Sequence, residues 1–388
     1  MEYSERLKKL PVQFFSTLVN KVNKAISEGR DIINLGQGNP DQPTPSHIVK
    51  ALQEAAEDPQ THKYSLFRGI PELKEAAAAF YKLQYHVDLD PDKEVAILFG
   101  TKTGLVELPL CLLNEGELML LPDPGYPDYL SSVALANVRY ETFPLVEENH
   151  FLPNYHDFTV SQKEQAKLMY LNYPNNPTGA SASKEFFEET VAFAKENDIA
   201  IVHDFAYGAI GFDGQKPVSF LEVEGAKDVG IEMYTLSKTY NMAGWRVGFA
   251  VGNAEIIEAI NLIQDHLYCS LFPAVQRAAV AALAGDQTCV EELVQRYERR
   301  RNTFVSACRE IGWDVKASSG SFFVWLPIPQ GFTSEEFADY LLDKADVAVA
   351  AGNGFGRHGE GYIRVGLLLD EDRLLEAVNR IEKLKLFK

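Results

Sequence analysis

Short apolar runs alternate with segments of helical periodicity between about residues 45 and 267. The runs are apolar throughout, which is typical of strands that are buried on both faces of a parallel sheet. Helical periodicity over 184–197 and 254–266 predicts helices that cover such a sheet. The predicted strands are 95–99, 118–121, 168–171, 200–203, 233–236 and 247–251. The pattern therefore predicts an α/β domain around a mostly parallel sheet.

The pattern changes after about Gly285. It predicts a long helix, two or three strands and two further helices, which is typical of a smaller α+β domain. These elements are the helix 289–311, strands that include 321–326 and 362–368, and helices near 334–345 and 370–386. We therefore expect a large α/β domain at 46–285, and an N-terminal arm and small domain formed by 1–45 and 286–388. Because no Pro- or Ser-rich linker is present, we expect a continuous helix to join the domains.

Composition excludes several classes of function. The chain of 388 residues carries 37 basic and 55 acidic residues, and the resulting charge of -18 argues against a nucleic-acid or membrane partner. Its four cysteines, Cys111, Cys269, Cys289 and Cys308, lack metal-ligand spacing, so we expect reduced thiols and no metal. The N-terminus lacks an apolar signal core, and no apolar run reaches the ~18 residues of a membrane span. We expect a cytoplasmic protein.

A lysine follows the predicted strand 233–236 in the stretch Thr235-Leu236-Ser237-Lys238, and Arg246 lies eight residues further on. Most lysines are solvated surface charges. Partial burial and a neighbouring cation, however, make an amine nucleophilic at neutral pH, and Lys238 can have both. The two hydroxyls and the guanidinium would suit a phosphate group beside that amine.

Other candidate residues also follow predicted strands, where ligands of open α/β sheets bind. The turn Thr101-Lys102-Thr103 opens a helix and could cradle a phosphate, although small residues also make ordinary turns. Tyr126 lies in a proline-rich loop, either as a packing residue or as a stacking face for a planar ligand. The loop 172–179 is dense in amides and prolines, with Asn176-Pro177 as a cis-peptide candidate.

Asp204 ends the next strand, and Tyr207 follows three residues later. The carboxylate could cap a helix, or it could face a heteroaromatic cation with the phenol nearby. We assign no chemistry to His203, which we expect to pack in the sheet.

Together these motifs resemble the class I and II pyridoxal-phosphate aminotransferases of fold type I across nearly the whole chain. The resemblance is carried by Asn175-Asn176-Pro177-Thr178-Gly179, Asp204-Phe205-Ala206-Tyr207, Thr235-Leu236-Ser237-Lys238 through Arg246-Val247-Gly248, and Tyr362-Ile363-Arg364-Val365. It implies a mostly parallel seven-stranded sheet, a smaller α+β domain and pyridoxal 5′-phosphate as cofactor. It also implies a homodimer with shared active sites.

The resemblance also implies roles for individual residues. Lys238 would form an imine with the cofactor's aldehyde and then shuttle a proton at the substrate. Asp204 would pair with the pyridine nitrogen and keep it protonated, so that the ring accepts electrons. The remaining cofactor contacts would be Tyr207 and Asn176 to the ring oxygen, Tyr126 stacked on the ring, Thr101, Lys102, Thr103, Thr235, Ser237 and Arg246 at the phosphate, and Tyr64 from the neighbouring subunit.

For the substrate, the resemblance implies that Arg364 clasps the α-carboxylate with its planar fork, with Asn176 and the backbone of Gly36 nearby. Two positions depart from the family. Ala351 stands where proline is frequent, and Lys102 is bulkier than the residue that some members carry. A dicarboxylate substrate would need another arginine, for which Arg68 and Arg357 are candidates only by elimination.

Within the family the sequence is most similar to bacterial methionine-salvage aminotransferases, which pass an amino group from glutamine or another neutral amino acid to 4-methylsulfanyl-2-oxobutanoate. The segments 38–45 and 240–245 carry this similarity. The alternatives are an LL-diaminopimelate, aromatic or aspartate aminotransferase, and a carbon-sulfur β-lyase with the same cofactor. A non-catalytic effector-binding module is a remote alternative, because the pattern begins near Leu35 without a preceding DNA-binding domain.

Overall fold

A seven-stranded sheet forms the centre of the computed structural model, which describes residues 2–387. The strands of the protein are β1 (Ile33–Asn34), β2 (Val95–Leu98), β3 (Leu118–Asp123), β4 (Arg139–Pro144), β5 (Ala166–Leu171), β6 (Ala200–Asp204), β7 (Gly230–Thr235), β8 (Gly248–Gly252), β9 (Phe323–Pro327), β10 (Val347–Ala348), β11 (Ala350–Ala351) and β12 (Tyr362–Gly366). The large sheet has the order β2-β8-β7-β6-β5-β3-β4. Its neighbours from β7 to β4 pair in parallel, whereas β8 is antiparallel to β2 and β7.

Helices lie on both faces of this sheet and around the smaller sheets. They are α1 (Glu5–Lys8), α2 (Phe14–Ser27), α3 (Ser46–Glu57), α4 (Pro71–Tyr85), α5 (Thr101–Leu112), α6 (Tyr129–Ala136), α7 (Val160–Gln165), α8 (Lys184–Asn197), α9 (Ala226–Val229), α10 (Leu236–Thr239), α11 (Ala254–Leu267), α12 (Pro273–Ala284), α13 (Thr288–Glu310), α14 (Ser334–Ala345) and α15 (Glu371–Glu382). None of these helices is long and apolar enough to cross a bilayer.

The predicted α/β fold with a mostly parallel seven-stranded sheet is confirmed, and all six predicted strands are present. The seventh strand, β4, has no counterpart in the hydrophobic pattern. It pairs only with β3 at the edge of the sheet, and five of its six residues are exposed, so its sequence lacks the apolar run of the buried strands.

Two apolar cores cover the faces of the large sheet, and a third lies between β9, β12 and helices α13, α14 and α15. The N-terminal arm joins this third core through Ile33 and Leu35, because β1 pairs in parallel with β10. The small sheet has the order β11-β12-β9 and is antiparallel. The domain boundaries at 45/46 and 285/286 stay predictions.

The expectation of one continuous helix between the domains is wrong. Helix α12 ends at Ala284, and α13 begins only at Thr288. Gly285 takes an extended conformation at the break, where an added Cβ would approach the Ala281 carbonyl oxygen to 2.4 Å. The side chain of Gln287 then donates to the carbonyls of Ala282 and Gly285, so the break is an ordered turn. The last helix is also shorter than predicted, because α15 ends at Glu382.

Candidate active site

Most of the residues singled out in the sequence line one cavity of about 510 Å³ at the carboxyl ends of the parallel strands. This size is typical of a pocket for a small ligand. The predicted residues in its lining are Gly36, Thr101, Lys102, Tyr126, Asn176, Asp204, Tyr207, Thr235, Ser237, Lys238, Arg246 and Arg364. The structure does not bring Thr103 or Tyr64 into this lining.

Lys238 lies in the short helix that follows β7, where Thr235 caps the turn by accepting from the Ser237 amide at 3.2 Å. Its ammonium donates to the carbonyl oxygen of Gly38 at 2.8 Å. Burial, together with the positive charges of Arg364 and Arg246, lowers the pKa of Lys238 from 10.5 to about 8, although the charge of Asp204 opposes this shift. An appreciable fraction of this amine is therefore neutral near physiological pH.

Asp204 ends β6 as a buried carboxyl group. Its Oδ2 accepts a hydrogen bond of 2.9 Å from the phenol of Tyr129, whereas its Oδ1 is buried without a partner. Burial raises the pKa of Asp204 from 3.8 to about 6, although the Tyr129 hydrogen bond lowers it. An unpaired buried carboxylate oxygen is costly, so this site favours a ligand with a cationic or N–H group at Oδ1.

Arg364 lies on β12, and its side chain is buried. One guanidinium nitrogen donates to the Asn176 side-chain oxygen at 2.8 Å, and the other donates to the Gly36 carbonyl at 3.0 Å. The guanidinium carbon is 3.9 Å from the ring centroid of Phe323. Burial lowers the pKa of Arg364 to about 10, which leaves the group charged at neutral pH. Its Nε is buried without a partner, so the cation keeps a free donor.

The anion side of the cavity is formed where α5 begins. Gly100 caps this helix with a φ of 75°, and a Cβ there would lie 2.5 Å from a guanidinium nitrogen of Arg246. The absence of a side chain thus lets Arg246 approach the helix N-terminus, which itself favours anions. Three hydroxyl-bearing residues, Thr101, Thr235 and Ser237, also line the cavity.

Three residues that were predicted to contact the phosphate are either bound to other groups or exposed to solvent. The Lys102 ammonium is 2.8 Å from the carboxylate of buried Asp128, so its charge is already paired. The hydroxyl of Thr103 donates back to the Phe99 carbonyl at 3.1 Å, within its own helical turn. Tyr64 is 93% exposed.

The remaining ring candidates lie in the lining. Tyr126 meets Tyr129 edge-on, with ring centroids 5.5 Å apart, and Tyr207 packs edge-on against Phe322 and Phe323. Burial raises the pKa of both Tyr126 and Tyr207 above the ordinary value, so their phenols stay neutral. The peptide bond Asn176-Pro177 is cis, as expected.

Sequence reasoning missed several residues of the site. Asn172 follows β5 in the same way that Asp204 ends β6, and its amide donates to the Asp204 carbonyl at 2.7 Å, so the strand-end rule could have identified it. The missed residues that line the cavity from the arm and α2 are Phe15, Leu18, Val19, Asn34, Gln37, Gly38 and Asn39. No local signal in α2 indicates that this helix covers the site.

The arrangement fits a planar ligand with a basic ring nitrogen, an anionic group and a carbonyl carbon that an amine can attack. The unpaired Oδ1 of Asp204 meets the first requirement, Arg246 beside Gly100 meets the second, and the Lys238 amine meets the third. In the part of the chain that the structure describes, no cluster of three or more potential metal ligands occurs.

Comparison with known proteins places the chain in a family. The family model described as aminotransferase class I and II matches residues 30–381. The L-glutamine--4-(methylsulfanyl)-2-oxobutanoate aminotransferase of Bacillus subtilis is 67% identical over 386 residues, covering 100% of this chain and 97% of the relative. The LL-diaminopimelate aminotransferase of Halothermothrix orenii is 44% identical, covering 98% of each protein.

Solved structures agree with this placement. Substrate-bound BacF from Bacillus subtilis superimposes with a TM-score of 0.95 at 50% identity, covering 100% of this chain and 99% of that structure. Enzymes of this family use pyridoxal 5′-phosphate, which the cavity residues fit. This chain therefore belongs to the class I and II aminotransferases and is a pyridoxal-phosphate-dependent transaminase.

Proposed function

We propose that this transaminase moves the amino group of an L-amino acid, with glutamine as the favoured donor, to 4-(methylsulfanyl)-2-oxobutanoate in methionine salvage. The observation that carries the proposal is the 67% identity, over the whole chain, to the Bacillus subtilis enzyme that bears this name.

One group of cavity residues would bind the cofactor, and a second group would act on the substrate. Pyridoxal 5′-phosphate supplies a ring that accepts the electron pair released at the substrate Cα. Asp204 would hold the ring nitrogen protonated through its unpaired Oδ1, with Tyr129 fixing the other oxygen. Arg246, Thr101, Thr235 and Ser237 would bind the phosphate, and Tyr126, Asn176 and Tyr207 would orient the ring.

Lys238 would hold the cofactor and then carry the proton that leaves and rejoins the substrate. A general base works best when its pKa lies near the operating pH, and burial brings the Lys238 pKa to about 8. Arg364 would bind the α-carboxylate, because its free Nε and planar fork are held between Asn176 and Gly36.

The cavity lining favours a substrate with an uncharged side chain. Phe15, Leu18 and Val19 of α2 supply apolar lining. Among residues 2–387, the arginines that line the cavity are Arg246 and Arg364. Of the two candidates for a distal carboxylate, Arg68 instead pairs with Glu258 and Asp265, at 2.8 and 2.7 Å, and Arg357 lies outside the lining.

LL-diaminopimelate transamination is the second candidate, because relatives of that name are 42–44% identical over nearly the whole chain. The test compares three donor–acceptor pairs: glutamine with 4-(methylsulfanyl)-2-oxobutanoate, LL-diaminopimelate with 2-oxoglutarate, and aspartate with 2-oxoglutarate. We expect rapid turnover of 4-(methylsulfanyl)-2-oxobutanoate and slow reaction of LL-diaminopimelate with 2-oxoglutarate. Negligible turnover of the methylsulfanyl acid beside rapid reaction of aspartate with 2-oxoglutarate would reject the salvage function. Release of a thiol from a cysteine derivative would instead support the β-lyase alternative.

We also propose a homodimer with shared active sites. Loop 63–69 is fixed beside α11 and α12 by Arg68 and by a 2.9 Å hydrogen bond from Gln276 to Ser65. This loop exposes large side chains that a partner would cover, and α11 and the residue before α12 expose others. These side chains are Tyr64, Leu66, Phe67, Leu262, Leu267 and Phe272. Sedimentation of the purified protein tests the proposal, and a monomer at micromolar concentration would overturn it.

The four cysteines are free thiols, which supports the further proposal that the enzyme works in the reducing cytoplasm. Fractionation of cells that produce the protein checks this location, and recovery in an extracellular or periplasmic fraction would contradict it.

A further inference from the structure

The loop from Gly36 to Asp41 lines the cavity and binds two of its cations, half-buried Lys238 and buried Arg364, with backbone carbonyls. The carbonyl of Gly36 accepts from Arg364 at 3.0 Å, and the carbonyl of Gly38 accepts from Lys238 at 2.8 Å. The two acceptors are only two residues apart, so a shift of this loop moves both contacts together. The loop therefore contacts the two cations through one short backbone segment.

One end of the loop is fixed by backbone pairing. The strand β1 precedes it and pairs with β10, and the amide of Gly366 donates to the Leu35 carbonyl at 2.6 Å. Gly36 itself has no room for a side chain, because a Cβ would lie 2.5 Å from Leu18 of α2 and 3.1 Å from the Val349 carbonyl carbon.

The other end is fixed by an ion pair. The guanidinium of Arg300 donates to both carboxylate oxygens of Asp41, at 2.9 and 2.8 Å, in the planar bidentate geometry that only arginine provides. Arg300 lies on α13, its side chain is 0% exposed, and the Asp41 side chain is 19% exposed. The same guanidinium also donates to the Leu367 carbonyl at 3.1 Å, which ties Arg300 to the end of the strand that carries Arg364.

Burial of such a pair is poorly explained by stability alone, since well-packed apolar residues are often at least as stabilising as a buried ion pair. We propose that Asp41 and Arg300 are positioning residues, which hold the Gly36 and Gly38 carbonyls in register with Arg364 and Lys238. This inference rests on the proposed roles of Arg364 and Lys238. Asp41 lies in the segment 38–45, and the inference gives this residue a role in holding the loop.

The test uses Asp41→Asn in the full chain, with Asp370→Asn as a matched control. Asp370 also contacts Arg300, at 3.1 Å, but its side chain is 85% exposed and lies outside the loop. We expect Asp41→Asn to raise KM for every amino-acid donor by at least about tenfold, the equivalent of one lost charge-assisted hydrogen bond, whereas the control stays near wild type.

Two further measurements separate positioning from general destabilisation. In cofactor-free protein, hydrogen exchange of amides 35–41 should become faster in Asp41→Asn while the exchange of β6 and β7 is unchanged. In cofactor-loaded protein, the pH midpoint of the visible absorption band should shift, because the Gly38 carbonyl no longer holds its place beside Lys238. Arg300→Lys, which keeps the charge but loses the fork, should give the same changes in weaker form.

A folded Asp41→Asn protein with wild-type KM, absorbance midpoint and exchange would overturn the inference. So would a loss of activity that only tracks the fraction of unfolded protein. If Asp41→Asn does not fold, the double variant Asp41→Asn/Arg300→Gln removes both charges, and the same KM shift is then expected, with wild-type KM as the contradicting result. Failure of this inference can be distinguished from failure of the proposed function. If the proposed function is wrong, the wild-type protein lacks the transamination activity, but hydrogen exchange of amides 35–41 still becomes faster in Asp41→Asn.

Discussion

Replacing Arg364 with lysine keeps a positive charge at the site but removes the planar fork. The guanidinium is held by two hydrogen bonds, to Asn176 and Gly36, and by the ring of Phe323 at 3.9 Å. A lysine ammonium has no plane to stack on this ring, and it cannot offer two parallel N–H groups to a carboxylate. If Arg364 binds the α-carboxylate, a substrate should therefore lose one of two charge-assisted hydrogen bonds.

The expected size follows from that count. One hydrogen bond to a charged group contributes about 1.5–3 kcal/mol, so Arg364→Lys should lower kcat/KM by about 10- to 150-fold. Arg364→Ala removes both bonds and also leaves the buried side-chain oxygen of Asn176 without its donor, so its loss should reach about 10²- to 10⁴-fold. Because every amino acid has an α-carboxylate, the loss should be similar for all donors.

The assay is the single-turnover reaction of the cofactor-loaded enzyme with glutamine, methionine, phenylalanine and aspartate, followed by the change in visible absorbance. Thermal unfolding of each variant controls for loss of fold. A loss confined to one donor would refute the reasoning and assign Arg364 to the side-chain pocket. An unchanged kcat/KM for all four donors would remove Arg364 from substrate binding altogether.

The remaining predictions concern the cofactor residues. Lys238→Ala should lack the visible absorption band of the covalent lysine–cofactor linkage unless an amine is added, and a persistent band in spectra of the purified variant would contradict the linkage. Asp204→Asn should keep the fold but lower kcat by about 10²- to 10⁴-fold, since breaking a buried charge pair costs about 3–5 kcal/mol, and steady-state kinetics checks this. Gly100→Ala should weaken cofactor affinity in a fluorescence titration, because its Cβ would displace Arg246 and its φ of 75° is strained for alanine. In cofactor-free protein the Lys238 pKa is about 8 against 10.5 when unfolded, so the unfolded chain binds more protons between these values, and stability should rise with pH across this window. Denaturant titrations at pH 8 and 10 should show that Lys238→Met removes that part of the rise.

The sequence was sufficient to locate the strand-end part of the site. Parallel strands present their carboxyl ends at one edge of a sheet, so Asp204, Lys238 and the Asn176 loop had to meet once the strands were identified. The predicted helices also lie close to those observed, with 184–197 and 334–345 matching in full. Here the local periodicity and the tertiary environment favour the same structure.

The prediction failed for two elements whose structure depends on contacts rather than on the local hydrophobic pattern. The edge strand β4 is held by its backbone pairing with β3 and carries little apolar signal. The break before α13 depends on Gly285, whose carbonyl is satisfied by a side chain two residues later. Neither feature alters the hydrophobic pattern by which the elements were identified.

Contacts between distant segments were harder still, and they govern the chemistry of the site. Tyr129 binds one oxygen of Asp204 from 75 residues away, which leaves only the other oxygen free for a ligand. Gly38 binds Lys238 across a separation of 200 residues. Such pairs involve residue types that are common elsewhere in the chain, so no motif distinguishes them before the fold brings them together. The sequence can therefore indicate which groups react, whereas the orientation and pKa of each group depend on partners that only the tertiary structure identifies.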